Sequence, residues 1–285
     1  HANSERVLVR SSLGMYLYSN DGKQFIAGYP DALKAVVSPD QASAVLIYPD
    51  GRVWLVGLED GSLMREWPSP VDLSAAACKE WWCEDAFYRQ WYFFSSFIAA
   101  FSADGSLLAV SFPDGTIVVW NTGDGAQVAR LYKDVAGYTN NMIFTPDNRF
   151  LLVNATRGPN DFLNFWSLET GELLWNQRTY GSVSINLLSP DENIIGTSGQ
   201  IAIGRLQSFA IWLHNFSDGS LYSQVGGYAA GYPYSPDSKR MVTVSRGKIE
   251  VWFIQPPVRL LKTFYTDYTV YTAEFSEDGK QIVIN

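Results

Sequence analysis

A short phrase recurs along the whole length of this chain and restricts what it can fold into. Each copy begins with Ser or Thr and has Asp two residues later. An apolar run, a second turn and another apolar run, often carrying a Trp, then follow. Eight Asp-Gly pairs lie at or near these turns. The markers begin at Ser38, Ser102, Thr145, Ser189, Ser235 and Ser276, and the tryptophans are Trp54, Trp120, Trp166, Trp212 and Trp252.

The spacing of the markers indicates the architecture. Successive markers lie roughly forty to fifty residues apart, except for a longer interval between Ser38 and Ser102. A repeat of that length, with a turn signal about every ten residues, predicts the four-stranded blades of a β-propeller. Asp-Gly can supply the two positive φ angles of a type I′ turn, so each pair predicts a tight hairpin. Within a unit, we expect strand a to end at the marker, strand b to follow it, strand c to end near the Trp, and strand d to come last.

The two ends of the chain are expected to share a blade, because the stretch from Ser276 through the C-terminus and on to Ser38 is close to one repeat in length. AEFS and QIVIN would be its strands a and b, and MYLYSN and KQFIAG its strands c and d. The run RVLVRS would then be a surplus strand. This arrangement predicts six blades. Seven follow if the surplus strand marks a blade cut short, or if the long interval hides a degenerate unit.

With these motifs, the chain resembles the WD40-repeat family of β-propellers over nearly its whole length, apart from the segment around residues 68–97. The resemblance implies a propeller of antiparallel blades that binds partners around the mouth of its central channel. The chain departs from the family pattern, because the usual Gly-His pair before strand a is missing and Asp never follows the Trp of strand c. The family's Asp/His/Ser/Trp hydrogen-bond network therefore cannot be carried over residue by residue.

Composition and charge narrow the class of protein. A hydrophobic content of 47%, with no linker or charge block, favours a single all-β domain over residues 1–285. The formal net charge of −8, with scattered Lys and Arg, argues against nucleic acid and anionic membranes as partners. Since no apolar stretch could cross a bilayer, membrane insertion is not expected. The start at His1 rather than Met is interpreted as a processed or trimmed N-terminus. We expect a monomer without a cofactor.

Residues 68–97 interrupt the repeat between two blades and are rich in aromatic side chains. A short helix is expected near residues 72–92, because Phe87, Trp91 and Phe94 recur at helical spacing. Two interpretations stay open: the aromatic stripe packs on the blades as a plug, or it forms a lid or docking element of a binding site. The candidate contact residues in this segment are Trp81, Trp82, Tyr88 and Trp91.

The two cysteines, Cys78 and Cys83, lie in the same segment, in the sequence CKEWWC. Their spacing is not the CxxC of zinc or thioredoxin-like sites. They are either two free thiols or a local disulfide that pins the insertion. A disulfide would need a turn between them and would imply an oxidising, extracytoplasmic compartment. The localisation is otherwise left open.

Tyrosines recur at the junctions between strand d of one blade and strand a of the next. If the strand assignment holds, they converge on the face around the channel mouth. Tyrosine offers wide amphipathic contact at low entropic cost, so such a surface suits a protein, a peptide or a sugar. Alternatively, these tyrosines anchor their own loops through their hydroxyl groups. The candidates are Tyr29, Tyr138, Tyr180, Tyr228, Tyr232 and Tyr268, with Tyr265 and Tyr271 in the same run as Tyr268.

Catalytic signals are sparse in this sequence. It contains no GxSxG, HExxH, GxGxxG or P-loop motif, and its only histidines are His1 and His214. Histidine-based acid–base, triad and multi-histidine metal chemistry are therefore excluded. His214 follows the Trp of strand c and is expected to be a structural histidine. A pair of carboxyl groups acting on a glycosidic bond is the one enzymatic device left. Its candidates are Glu80, Glu84, Asp85, Asp134 and Asp267.

The sequence thus predicts a non-catalytic interaction scaffold. Its aromatic face would bind a protein, a peptide or a neighbouring domain of a longer chain. Two alternatives are a propeller that binds or cleaves carbohydrate, and a sensor domain appended to a signalling enzyme. A fold alone does not name the ligand.

Overall fold

The computed structural model describes residues 6–73, 95–132, 138–157, 160–179, 184–203, 206–229, 231–245 and 247–284. In these ranges the chain is almost entirely β, with 24 strands in seven antiparallel sheets. Strands that are neighbours in sequence pair with each other, as expected when short turns connect them. The all-β class and the repeated four-stranded sheets predicted from the markers are therefore confirmed.

The first three sheets precede residue 133. Sheet 1 contains β1 (Arg6–Ser11), β2 (Gly14–Ser19) and β3 (Phe25–Pro30). Sheet 2 contains β4 (Lys34–Val37), β5 (Ser43–Ile47), β6 (Val53–Gly57) and β7 (Leu63–Trp67). Sheet 3 contains β8 (Ile98–Phe101), β9 (Leu107–Ser111), β10 (Thr116–Asn121) and β11 (Gln127–Tyr132).

Two further four-stranded sheets follow. Sheet 4 contains β12 (Tyr138–Phe144), β13 (Phe150–Arg157), β14 (Asn160–Ser167) and β15 (Leu173–Thr179). Sheet 5 contains β16 (Ser184–Leu188), β17 (Ile194–Ile203), β18 (Leu206–Asn215) and β19 (Leu221–Gly226).

The last two sheets are shorter. Sheet 6 contains β20 (Arg240–Ser245), β21 (Lys248–Phe253) and β22 (Arg259–Tyr265). Two isolated bridges, Tyr228 to Val244 and Tyr234 to Met241, stand where its strand a is expected. Sheet 7 contains β23 (Ala273–Phe275) and β24 (Ile282–Ile284).

The chain divides into two compact units. Unit 1 comprises His1–Gly158 and Phe165–Leu173, and unit 2 comprises Pro159–Asn164 and Leu174–Asn285. Sheets 1 to 3 belong to unit 1 and sheets 5 to 7 to unit 2, while the division runs through sheet 4. The single domain expected from the sequence stays a prediction.

The hydrophobic core lies between successive sheets in each unit. Met15 and Leu17 of sheet 1 pack with Leu46 and Val56 of sheet 2, and further clusters fill the gaps between sheets 2 and 3 and between sheets 3 and 4. In unit 2, one cluster joins sheets 5 and 6 and another joins sheets 6 and 7. Within each unit, neighbouring sheets therefore bury their facing sides against each other, as repeat architectures do.

The markers form one type of turn, which the sequence pattern located correctly. In each, the Ser or Thr hydroxyl donates to the Asp carboxylate at 2.5 to 2.7 Å and accepts from a backbone N–H five residues after it at 2.9 to 3.1 Å. The fourth residue has a φ of 56 to 72°. The same geometry occurs at Ser19, a seventh marker that was not predicted.

The Asp-Gly pairs do not form the type I′ turns expected of them. All eight glycines have positive φ, from 66 to 88°, but none of the eight aspartates does. The carboxylate instead accepts the backbone N–H two residues later, as Asp114 does from Thr116 at 2.9 Å. This local bond favours turn formation without a left-handed Asp. It explains why Asp precedes Gly so often here.

The predicted assignment of strands at the two ends is wrong. Arg6–Ser11 is not a surplus strand, because it pairs with β2 along its whole length. The other edge of β2 pairs with β3, so β2 has no free edge for a C-terminal strand. Among the described residues, β24 pairs with β23 alone.

The helix expected near residues 72–92 falls largely within residues 74–94, outside the described part of the chain. Within the described ranges, no helix is both long and apolar enough to cross a lipid bilayer.

Candidate functional site

The aromatic insertion enters and leaves at one end of sheets 2 and 3. On the entry side, Gly51 in the turn between β5 and β6 lies against Ser69 and Leu73. On the exit side, the Ser111 hydroxyl at the end of β9 donates to the Ser96 carbonyl at 2.8 Å. The junction between strands d and a therefore lies at the same end of the sheets as the turns between strands b and c.

Lys34 fixes the exit of this segment. Its ammonium donates to the carbonyl of Phe97 at 2.5 Å and to that of Ser95 at 3.4 Å. Burial lowers the pKa of the Lys34 ammonium, and the nearby Arg10 adds to the effect. Phe97 itself is fully buried and packs edge-on against Phe112. The ends of the insertion are thus firmly attached to the sheets.

Several candidate residues lie outside the described part of the chain. Tyr138 is the first residue of β12, but its side chain is among those that the structure does not describe. The same holds for the predicted disulfide, the aromatic docking element and most of the carboxyl groups proposed for glycosidic cleavage. The residues concerned are Cys78, Cys83, Trp81, Trp82, Tyr88, Trp91, Tyr180, Glu80, Glu84, Asp85 and Asp134.

Tyr29 is a core residue rather than a surface residue. Only 5% of it is exposed, and its ring lies in the cluster between sheets 1 and 2. Its hydroxyl donates to the carbonyl of Gly61 in the turn between β6 and β7, at 3.0 Å. Since a buried ring offers no area to a partner, Tyr29 does not belong to a binding surface.

Tyr228 and Tyr232 occupy the position of strand a in sheet 6. The Tyr228 hydroxyl donates to the carbonyl of Val270 at 3.1 Å, and its ring packs edge-on against Phe209 at 5.6 Å. The Tyr232 hydroxyl donates to the carbonyl of Leu188 at 3.0 Å, although 47% of the residue is exposed. Each of these tyrosines therefore anchors the chain through its hydroxyl group and is still partly exposed. For these two residues, the loop-anchor and binding-surface interpretations both apply.

Three tyrosines lie at the end of β22 and in the loop that follows it. We call residues 265–271 the tyrosine loop. Tyr265 is 82% exposed, Tyr268 61% and Tyr271 68%. Their hydroxyl groups have no hydrogen-bond partner among the residues that the structure describes. These rings are therefore not loop anchors.

The tyrosine loop is held in place by other groups. The backbone N–H of Thr266 donates to the carbonyl of Gly247 at 3.0 Å, and its hydroxyl donates to the carbonyl of Tyr268 at 2.8 Å. Val270 is 4% exposed and packs in the core between sheets 6 and 7. The Tyr228 hydroxyl binds its carbonyl. The loop thus presents three rings from a backbone with several attachments.

Phe209 extends this region, and the sequence did not suggest it. It is 43% exposed, contacts the Tyr228 ring and lies on β18. Strands β17 and β18 pair over ten residues each, whereas β16 and β19 pair with only part of them. The sequence carries one signal for these longer strands: the interval from Ser189 to Trp212 is longer than that from Ser102 to Trp120.

His214 has the structural role that the sequence predicted. It is 3% exposed, with Nδ1 3.0 Å from the Gly219 carbonyl and Nε2 3.2 Å from the Thr197 hydroxyl. Because a carbonyl only accepts, Nδ1 carries the proton and Nε2 accepts from Thr197. Burial lowers the pKa of His214, which keeps the ring neutral. No cluster of potential metal ligands occurs among the described residues.

Known proteins resemble this chain in fold. The family model of the second β-propeller of WD repeat-containing protein 75 matches residues 49–209, more than half of the chain. A chain in the crystal structure of a mitotic checkpoint complex aligns with a TM-score of 0.57 and 14% identity, over 99% of this chain and 84% of that chain. A chain of Kuenenia stuttgartiensis hydrazine synthase aligns with a TM-score of 0.54 and 13% identity, over 98% and 92%. At such identity, both structures show the fold alone. Among curated proteins, no sequence matches.

Proposed function

Because this chain belongs to the family of WD-repeat β-propellers represented by the second propeller of WD repeat-containing protein 75, we propose that it is a non-catalytic scaffold that binds a protein or peptide through the tyrosine loop. The predicted WD40-like fold is confirmed. Propellers of this family are typically protein-interaction scaffolds and are generally non-catalytic.

The observation that carries the proposal is the outward orientation of Tyr265, Tyr268 and Tyr271. Single exposed apolar residues are common on protein surfaces, but three strongly exposed rings within seven residues are not. Tyrosine is enriched at interfaces because its ring buries a large area while its hydroxyl stays hydrogen-bonded. A bound partner would provide these rings with the contacts that the described residues do not provide.

The attachment of the loop supports the same proposal. Binding costs less free energy when the contact residues are already ordered. Thr266 and Val270 hold the backbone between the exposed rings, so the backbone has little freedom left to lose on binding. Phe209 and Tyr228 enlarge the apolar area beside them, and Asp267 adds an exposed carboxylate between Tyr265 and Tyr268. This combination suits an extended peptide or a protruding loop of a partner.

Affinity capture with a triple variant tests this proposal. We expect the Tyr265→Ala, Tyr268→Ala, Tyr271→Ala variant to lose its specific partner while its melting temperature stays within about 2 °C of the wild type, because exposed side chains contribute little to stability. The matched control is Leu63→Ala, Met64→Ala, Tyr132→Ala, which truncates three exposed side chains on outer strands of unit 1, where the residues are 48 to 59% exposed.

Comparing the partners captured by the loop variant and by the control variant distinguishes the possible outcomes. Loss of a partner from the loop variant and its retention by the control would support the proposal. Equal retention by both variants would contradict it. Exposed rings also stack on sugars, so a glycan ligand remains the alternative to a protein partner. Saturable quenching of tyrosine and tryptophan fluorescence by an oligosaccharide, abolished in the loop variant, would replace the protein partner with a carbohydrate.

A further inference from the structure

The three exposed rings of the tyrosine loop stand apart from one another. Tyr265, Tyr268 and Tyr271 occur at every third residue, and none of their rings stacks on another aromatic ring among the described residues. Three residues of chain span at most about 11 Å. The loop therefore presents three separate rings at short intervals rather than one stacked cluster.

The Tyr265 ring points away from sheet 7. Tyr265 pairs with Lys248, whereas its neighbour Phe264 pairs with Ile249, which packs against sheet 7. Because successive side chains of a strand point to opposite faces, Tyr265 lies on the other face of sheet 6. Its exposure of 82% is therefore independent of the residues that cover the sheet 7 side.

The backbone of the tyrosine loop offers few groups to a partner. The Thr266 N–H is bonded within the chain, and the carbonyls of Tyr268 and Val270 accept from hydroxyl groups of this chain. After its first residue, the loop lies between β22 and β23 and belongs to neither strand. Recognition by strand addition needs a free strand edge. A partner would therefore be recognised mainly by the side chains of the loop.

Those side chains are rich in hydrogen-bond donors. The three tyrosine hydroxyl groups are exposed to water, and a partner that buries them must supply acceptors, since an unpaired buried hydroxyl costs free energy. Backbone carbonyls in a helix or a sheet are already bonded. A polyproline II segment has no internal hydrogen bonds, so its carbonyls are free, and its prolines carry no N–H that needs an acceptor. Such a segment complements a surface of rings and hydroxyl groups.

The charge beside the rings is negative. Asp267 is exposed within the tyrosine loop, and Glu274 is exposed three residues after the end of the loop. Lys248 lies across from the first ring, but its ammonium is 3.2 Å from the Glu250 carboxylate, which balances its charge. The chain as a whole has a formal net charge of −8. A cationic residue of a partner is therefore attracted to this surface.

We propose that the tyrosine loop binds a proline-rich segment of a partner protein in the polyproline II conformation, with an Arg or Lys beside the prolines. This inference rests on the proposed function and names the chemistry of the partner. One turn of a polyproline II helix advances about 9 Å, which the span between successive tyrosines can match. The prolines pack between the rings, the hydroxyl groups donate to backbone carbonyls, and Asp267 binds the cation.

Two labelled peptides test the proposed conformation. The probe is a fluorescent peptide of about ten prolines with an Arg at each end. The negative probe has the same length and the same Arg residues, but flexible Gly and Ser replace the prolines. We expect the proline peptide to bind the wild-type chain saturably, with a Kd below about 1 mM, and the Gly-Ser peptide to bind at least about tenfold more weakly. Fluorescence anisotropy measures both.

Two triple variants separate the rings from the hydroxyl groups. Changing Tyr265, Tyr268 and Tyr271 to Ala should weaken binding of the proline peptide at least about tenfold, because the rings are lost. Changing the same residues to Phe should weaken it at least about threefold, because the rings stay and the donors are lost. The control is the unit 1 variant Leu63→Ala, Met64→Ala, Tyr132→Ala, which should keep the affinity within about twofold.

The charge of the probe tests the role of Asp267. A proline peptide with Glu in place of each Arg should bind the wild type at least about threefold more weakly. Asp267→Asn should reduce this difference between the two proline peptides, since it removes the carboxylate that attracts the cation. Equal binding of both peptides by the wild type would overturn the cationic residue beside the prolines.

Three results would overturn the proline-rich partner. They are the absence of saturable binding by the proline peptide, equal affinity for the Gly-Ser peptide, and unchanged affinity in the Phe variant. Affinity capture then separates this failure from that of the proposed function. If the Ala variant still loses a protein that the wild type captures, the loop binds a segment of other chemistry. If it loses none, the proposed function fails as well.

Discussion

The marker serines and threonines do more than locate turns. Ser102 is fully buried, donates to Asp104 at 2.6 Å and accepts from the Leu107 N–H at 2.9 Å. Hydrogen bonds hold the pKa of Asp104 far below its usual value; the bond from the Ser102 hydroxyl has the largest effect, followed by that from the Ser106 N–H. A hydroxyl that donates and accepts in this way connects two consecutive strands, so its loss leaves a buried N–H without a partner.

We therefore expect Ser102→Ala to lower the free energy of unfolding by about 1 to 3 kcal/mol. Ser276 occupies the same position in the more exposed marker turn of sheet 7, so Ser276→Ala should cost less than about 1 kcal/mol. Urea denaturation of both variants measures the difference. Equal losses would show that burial of the turn does not determine the cost.

His214 predicts a pH dependence. Burial lowers its pKa in the folded chain below the ordinary value of 6.5, so the unfolded chain binds the proton more readily. The contribution of His214 to stability is complete above about pH 6.5 and decreases as the pH falls toward the lowered folded pKa. Urea denaturation between pH 7.5 and 5.0 measures this loss, with His1 replaced by Gln to leave one histidine.

Replacing His214 by Gln should flatten the stability profile over that pH range. Absolute stability of this variant will also drop, since Gln does not reproduce both hydrogen bonds, but the slope is the informative quantity. A slope as steep as that of the parent would assign the pH dependence to other groups.

At the scale of elements, the tyrosine loop is held in place by residues at the strand-a position of sheet 6. The single side-chain bond from Tyr228 to Val270 joins them, together with the packing of Val270 below the loop. A surface loop opens locally at low free energy unless its attachments hold it. The Tyr228 hydroxyl is thus a determinant of how rigidly Tyr265, Tyr268 and Tyr271 are presented.

We expect Tyr228→Phe to lower global stability by only about 0.5 to 1.5 kcal/mol, the usual net contribution of one hydrogen bond. Amide exchange in residues 266–271 should nevertheless become faster. Tyr232→Phe is the control, because its hydroxyl binds Leu188 rather than the loop. Equal exchange in the loop of both variants would mean that Tyr228 does not order it.

At the scale of the whole molecule, stability comes from contacts between successive sheets. Trp67 of sheet 2 shows this most clearly, because it stacks on Trp120 of sheet 3 and its indole binds the Gly125 carbonyl. We expect Trp67→Ala to cost about 3 to 5 kcal/mol in denaturant unfolding, as buried aromatic truncations do. Met64→Ala on the same strand, 59% exposed, should change stability by less than about 0.5 kcal/mol.

The repeat was predictable because local chemistry produces it. Ser/Thr-x-Asp makes its own hydrogen bonds, so each marker identifies a turn regardless of the rest of the chain. The assignment of Arg6–Ser11 as a surplus strand is wrong because the length of a repeat does not show which strands pair; this segment forms a tight hairpin with β2, in which Ser11 lies opposite Gly14. The type I′ turns were wrong because the carboxylate of Asp offers an alternative bond that propensities for Asp-Gly do not reveal.

The candidate site was only partly predictable, because the exposure of its side chains depends on contacts between sheets. A tyrosine at a junction can point inward or outward, and the following sheet decides which. Tyr29 is buried because sheet 2 covers it, whereas Tyr268 stays exposed above Val270. Phe209 was missed because the extra length of β17 and β18 carries no marker of its own.

The most direct test of the proposed binding surface is site-specific photo-crosslinking from Tyr268. A photoreactive phenylalanine analogue replaces Tyr268 in one sample and Tyr132, which is 59% exposed on β11, in the other. Mass spectrometry then identifies the adducts formed in extract from the source cells. We predict a protein adduct at position 268 that is absent at 132 and disappears when Tyr265 and Tyr271 are changed to Ala. The same adducts from both positions, or none at 268, would contradict the account.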